Sequence, residues 1–102
     1  PVKMILLNNN YLGNVRQWQD LMFKGRHSFT DMLNPCYGDI AKGYGIPYDR
    51  VIDRNDLRAK IEKMISTEGP YLLECAIKPD EDIVPMTMPG KSVDEMLLEL
   101  DY

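Results

Sequence analysis

A strand-length apolar run, Met4-Ile5-Leu6-Leu7, is stopped by three consecutive asparagines, Asn8, Asn9 and Asn10. The run is too uniformly apolar for a half-exposed strand and suits a parallel strand covered on both faces. Beyond the asparagines, Leu12, Val15, Trp18 and Met22 recur near three-to-four spacing and predict a helix with one buried face. The polar cluster therefore falls where a strand ends and a helix begins. In open α/β sheets ligands bind at that edge. An amide side chain offers a neutral oxygen and two N–H donors. Its oxygen is a hard ligand that suits Mg²⁺ or Ca²⁺, as backbone carbonyls do. Gly13 lets the backbone come close to a ligand, and the helix start after it favours an anion. A Mg²⁺-diphosphate suits this pattern. So does the plainer reading in which the asparagines only cap and turn the chain.

The rest of the chain supplies a small sheet. Asn34-Pro35 reads as a helix opening, an N-cap residue followed by proline at the first helical position. Tyr37, Ile40, Ala41 and Tyr44 then share one face, and Gly45 with Pro47 ends the helix. A strand is expected around residues 49–52. Asp53 or Asn55 caps a further helix with Leu57, Ile61, Met64 and Ile65 as its stripe, and Gly69-Pro70 stops it. Tyr71 to Ile77 reads as a third strand, with Glu74 its one charge, either paired or near the sheet's end. Strand, helix, strand over this length implies a parallel pair with a right-handed crossover. The expected fold is α/β: a three-layer, partial parallel sheet of about three strands with flanking helices.

From Lys78 the composition changes. Pro79-Asp80-Glu81-Asp82 is acidic and turn-like, and the prolines at 85 and 89 exclude regular helix or interior strand over residues 84–90. Ser92-Val93-Asp94-Glu95 has the form of a capping box, with Val93, Met96, Leu97 and Leu100 following it, so an amphipathic helix is expected on an irregular arm. The domain boundaries expected are 1–78 for the sheet and 79–102 for the arm.

Composition excludes several classes. The 102 residues allow one small domain. With 16 acidic against 12 basic residues, no basic patch invites nucleic acid or an anionic membrane. No apolar run approaches the ~20 residues of a membrane span. Cys36 and Cys75 are too few for a disulfide framework or a zinc site and fit a reducing cytoplasm. His27, between Arg26 and Ser28, has no carboxylate nearby in sequence and reads as a solvent-facing loop residue. A chain that begins at Pro1, directly against a strand, reads as an excised piece.

The segment LLNNNYLGNVRQWQ resembles the cofactor segment of the thiamine-diphosphate enzymes and, within them, the acetohydroxyacid synthase (acetolactate synthase) catalytic subunits. Asn8-Asn9 resembles the closing pair of that superfamily's GDG…NN motif, and Gly13 to Trp18 resembles G-M-V-x-Q-W. The likeness continues through FTDMLNP, GPYLLE and VPMTMPG, in one order along the chain. It implies the second half of a thiamine-diphosphate-binding domain, followed by a C-terminal arm. It implies that Asn9 gives a side-chain oxygen, and Tyr11 its main-chain carbonyl, to the Mg²⁺ of thiamine diphosphate. Leu12, Gly13 and Asn14 are then cofactor-binding, and Trp18 with Asn14 shapes the substrate pocket. Asn14 stands where the family usually has methionine.

The reaction implied is decarboxylation of pyruvate and transfer of the two-carbon unit to pyruvate or 2-oxobutyrate, a step of isoleucine, valine and leucine biosynthesis. The family's GDG aspartate, activating glutamate and FAD site lie outside these residues, so no catalytic residue is expected here and the piece alone is expected to be inert. A homo-oligomer acting on 2-oxo acids, with a regulatory small subunit as a further partner, is also implied. Two alternatives stand beside this reading. One is a related carboligase or pyruvate oxidase-type enzyme; the other is a non-catalytic flavodoxin-like binding or oligomerisation module.

Overall fold

The computed structural model describes residues 1–100. Its elements are β1 (Lys3–Asn8), α1 (Gly13–Phe23), α2 (Tyr37–Gly43), β2 (Tyr48–Val51), α3 (Leu57–Ser66) and β3 (Tyr71–Ala76), with 3-10 turns at Arg54–Asp56 and Val93–Glu95. The chain falls into two compact units. Pro1–Asn10 with Leu33–Lys78 is the sheet unit, and Tyr11–Met32 with the chain from Pro79 onward is the arm unit.

In the sheet unit β1 and β2 both pair in parallel with β3, giving the order β1-β3-β2. The register aligns Asp49 with Leu73 and Val51 with Cys75, which puts these side chains on one face. There Val51, Tyr71, Leu73 and Cys75 form the core with Met64 of α3, and Leu57 and Ile61 pack against it. Full burial of a leucine such as Leu73 contributes about 1.5–3 kcal/mol. Lys63 donates to Asp49 at 2.8 Å and holds that carboxyl below the usual range despite its burial.

The other face carries Tyr48, Arg50 and Glu74, and α2 lies over it. A Cβ on Gly38 would come within 2.9 Å of the Tyr48 ring, so the close approach of helix and strand requires glycine there. Helices on opposite faces make the three expected layers, and the β2–α3–β3 crossover follows the parallel arrangement read from the sequence.

Three local expectations change. β1 is the end strand of the described sheet, and α3 packs over β2 and β3 on the face that Ile5 and Leu7 share with Leu73 and Cys75, so these two stay 53% and 64% exposed rather than covered. β2 lies one residue earlier than expected. The second helix starts at Tyr37 with Cys36 as its N-cap, because the Asn34 amide is engaged with Asn8 and Asn10. Asp53 does act as a cap, accepting from the Asn55 N–H at 2.8 Å, but for the 3-10 turn that leads into α3.

In the arm unit the buried position of α1 is Gln17, at 2% exposure, while Leu12, Val15 and Met22 of the expected stripe are exposed and Trp18 is half-buried. α1 ends at Lys24 in the left-handed conformation, and the chain doubles back through Gly25. This return brings His27 Nε2 to 2.6 Å from Asp20 Oδ1, so the histidine does have a carboxylate partner, supplied by the fold rather than by its sequence neighbours.

The expected terminal helix is a single 3-10 turn. Its capping box forms, but Met96 leaves in extended conformation and Leu97 exchanges main-chain hydrogen bonds with Met86 at 2.8 and 3.0 Å. Those bonds take the place of the ones a continued helix would need.

Candidate functional site

Asn8 closes β1, and its side chain is buried at the carboxyl end of the sheet. Its Nδ2 donates to Glu74 Oε1 at 2.8 Å. Its Oδ1 accepts from the Asn10 N–H at 3.1 Å and from Asn34 Nδ2 at 2.8 Å. Asn34 Nδ2 also lies 3.2 Å from Asn10 Oδ1. The turn that contains Asn9 is thereby tied on both sides. Asn10 has φ of 58°, a left-handed conformation that asparagine tolerates better than most residues. Asn9 itself is half-buried at the tip of the strand.

Glu74 is the anchor beneath this turn. Tyr48 donates its hydroxyl to Oε2, and Arg50 Nε lies 3.4 Å from Oε1. Burial alone would push the Glu74 carboxyl up. The Tyr48 hydroxyl, the Asn8 amide and the Arg50 guanidinium outweigh it and hold the group below the ordinary glutamate range. Tyr48 is pushed up to about 12 by its own burial, then by the hydrogen bond to Glu74 and by its charge. A cavity of about 340 Å³ opens beside these groups, lined by Asn8, Asn10, Asn34, Tyr48, Arg50 and Glu74 among others.

The other residues singled out in the sequence lie in the arm unit, around the start of α1. Tyr11 bridges to Asp31 in antiparallel fashion, and the Leu12 N–H donates to the Thr30 carbonyl at 2.8 Å. The Arg16 guanidinium sits over the Tyr11 ring, 4.5 Å from its centre. α1 begins at Gly13 with no side-chain cap at Leu12 and no acidic residue in its first turn. Asn14 is exposed in that turn, and Trp18 is half-buried one turn further. A separate cavity of about 250 Å³ beside Gly13 and Arg16 has Asp20, Asp80, Glu81 and Asp82 on its walls, which disfavours an anion there.

Sequence reasoning gave Gln17 no contact of its own and left Glu74 either paired or near the sheet's end. Gln17 donates from Nε2 to the Ile83 carbonyl at 2.9 Å and accepts the Ile83 N–H on Oε1 at 3.0 Å. Gln17, between Arg16 and Trp18, gives no signal of this, because hydropathy places an amide outside. Glu74 did give a signal, as the lone charge in an apolar strand, but its partners come from β1 and β2 and could not be read locally.

A parallel sheet with a polar turn at its carboxyl end has the arrangement with which α/β domains bind ligands. The profile of the family described as "Thiamine pyrophosphate enzyme, C-terminal TPP binding domain" matches residues 1–75, and the chain belongs to that family. It is 41% identical to acetolactate synthase 1, chloroplastic, of Zea mays over 99% of this chain and 17% of the relative. It is 40% identical to the acetolactate synthase large subunit of Cyanidium caldarium, over 94% of this chain and 17% of that protein. With acetolactate synthase isozyme 2 large subunit of Escherichia coli the identity is 39%, over 98% of this chain and 18% of the relative. The chain thus spans less than a fifth of the length of these relatives. Among solved structures, a thiamine diphosphate-dependent 4-hydroxybenzoylformate decarboxylase of Rhodococcus jostii superposes with a TM-score of 0.71 at 26% identity, covering 80% of this chain and 16% of that one.

The residues present suit the group this family binds. Asn9 and the Tyr11 carbonyl are neutral hard oxygen donors of the kind Mg²⁺ accepts. The start of α1 has no side-chain cap and no acidic residue in its own first turn, which suits a diphosphate, whereas the acidic wall of the cavity beside Gly13 does not.

Proposed function

We propose that this chain is the C-terminal part of the thiamine-diphosphate-binding domain of an acetolactate synthase, an enzyme that decarboxylates pyruvate and passes the two-carbon unit to pyruvate or 2-oxobutyrate in branched-chain amino-acid biosynthesis. The observation that carries this is the stretch from Asn8 to Trp18, a strand-end asparagine turn followed by an uncapped helix, in a chain about 40% identical to acetolactate synthases along nearly all its length. Thiamine diphosphate, when bound, supplies the carbanion chemistry. The chain's own residues hold and orient it. Asn9 through its amide oxygen and Tyr11 through its carbonyl would ligate Mg²⁺. Leu12 and Gly13 would bring backbone to the diphosphate, with Asn14 beside them. Trp18 and Asn14 would face the 2-oxo acid.

FAD belongs to the same reading but engages no residue of this chain. The enzyme is read as a cytoplasmic homo-oligomer that a regulatory small subunit can join. The test is acetolactate formation from pyruvate by the full-length protein carrying this segment, in the presence of thiamine diphosphate, Mg²⁺ and FAD. Product formation that disappears in Asn9→Leu supports the reading. Decarboxylation to acetaldehyde with no acetolactate would transfer the protein to another branch of the family.

A further inference from the structure

We infer that Asn34 and Glu74 are positioning residues for Asn9, fixing the Asn8–Asn10 turn in the shape that offers Asn9 to a divalent cation. This rests on the reading above and adds to it two residues that never meet the ion. Asn9 lies between two side chains that are both tied down. Asn8 is held from below by Glu74 at 2.8 Å and from the side by Asn34 at 2.8 Å. Asn10 is held by its own N–H on Asn8 Oδ1 and by Asn34 on its Oδ1.

The two amide hydrogens of Asn34 match the two acceptors it faces, so this one residue closes the turn from the opposite side of the loop. Glu74 sets which way the Asn8 amide points. A carboxylate accepts only, so the Asn8 NH₂ must face it and the Asn8 oxygen must face Asn10 and Asn34. Tyr48 and Arg50 in turn fix Glu74, so the order of support runs from β2 and β3 to Asn8 and then to the turn. Groups that orient a metal ligand without touching the metal commonly alter metal affinity by about 10–100-fold.

The experiment uses the full-length enzyme with Asn34→Ala, Glu74→Gln and the control Ile61→Val, a core change in α3 remote from the turn. Mg²⁺ is titrated at saturating thiamine diphosphate, without substrate, and followed by tryptophan fluorescence. Asn34→Ala is expected to raise the Mg²⁺ Kd by about tenfold or more. Glu74→Gln keeps one oxygen for Asn8 and is expected to raise it less. Ile61→Val is expected to lower the melting temperature and leave the Kd unchanged.

Hydrogen exchange on the cofactor-free enzyme gives a second readout. Exchange at the Asn10 amide is expected to quicken in Asn34→Ala. A wild-type Kd in Asn34→Ala, or an equal rise in Ile61→Val, overturns the inference while leaving the enzyme assignment intact. Wild-type protein that shows no Mg²⁺-dependent cofactor binding overturns both. Should Asn34→Ala fail to fold, Glu74→Gln decides: an unchanged Kd with unchanged Asn10 exchange overturns the inference, and a rise in both supports it.

Discussion

β3 and α1 are both central to their units, yet they are held by opposite means. β3 buries Tyr71, Leu73 and Cys75 in an apolar core and tolerates one charge, Glu74, because three neighbouring groups satisfy it. α1 exposes Val15 and Met22 and buries an amide, Gln17, whose two ends pair with the main chain of Ile83. The sheet unit is organised by apolar burial with a polar exception. In the arm unit a polar contact fastens the terminal arm to α1, and several apolar side chains stay in water. Burial is non-directional, whereas a bidentate amide holds one peptide in one register.

The largest effect tests the apolar side. Leu73→Ala is expected to cost about 2–5 kcal/mol, the range for deleting a fully buried leucine side chain. A small domain has about 5–15 kcal/mol in all, so the urea midpoint should fall steeply. A loss below ~1 kcal/mol would mean that the core around Leu73 can collapse on the gap, and the contrast with α1 would weaken.

Gln17→Ala comes next, at about 0.5–1.5 kcal/mol for each hydrogen bond it removes from the peptide of the exposed Ile83. Amide exchange at Ile83 should rise, and limited proteolysis should cut the arm near residues 79–85, while exchange at Leu73 stays as in the wild type. Equal protection of Ile83 in the variant would show that the arm is held by something other than this amide.

These two positions also mark what could be read in the sequence. The three strands, the parallel crossover and the stop at Gly69-Pro70 were legible because short apolar runs and glycine-proline punctuation are local signals. The turn after β1 was legible as a turn, since three asparagines end an apolar run, while the residues alone left both a ligand-binding and a merely capping role open to it. Its supports were not: Asn34 is 26 residues from Asn8 and Glu74 is 66 away; the β1–β3 pairing brings Glu74 to Asn8, and the loop before α2 brings Asn34. Asn34 was read as a helix cap for a sound local reason, yet tertiary partners claimed its amide. The stripe on α1 misled because helical period shows which residues share a face but not whether that face is covered. The terminal capping box formed as read, and the helix behind it did not. A cap lowers the cost of starting a helix, but only packing or further turns sustain one.

A third test isolates the polar exception in the sheet. The folded pKa of Glu74 lies below its unfolded value, so the ionised form is the one that folding favours. Its contribution is therefore complete above the ordinary glutamate pKa and is lost as pH falls through the lowered folded value. Urea midpoints of wild type and Glu74→Gln should differ most at neutral pH and converge through that acid window. A constant difference down to the lowest pH at which the protein stays folded would mean that the carboxylate charge contributes nothing and only the shape of the side chain matters.

The smallest effect shows why burial, rather than the presence of a charge pair, sets the result. Arg58 and Glu62 on α3 form an ion pair at 3.0 Å one turn apart, with both side chains mostly in water. Its geometry is better than that of Arg50 with Glu74 at 3.4 Å. Distance alone would therefore rank Arg58–Glu62 first. Solvent screening and the entropy of holding two long exposed side chains reduce it to about 0.3–0.5 kcal/mol. Arg58→Ala should move the urea midpoint barely beyond error and should do so less at high salt. Arg50→Ala should cost more, because it takes a counter-charge from a carboxylate that has little water to replace it. If Arg58→Ala proved the costlier of the two, the buried Glu74 cluster would be carried by Tyr48 and Asn8 alone, and the guanidinium would be a bystander at its edge.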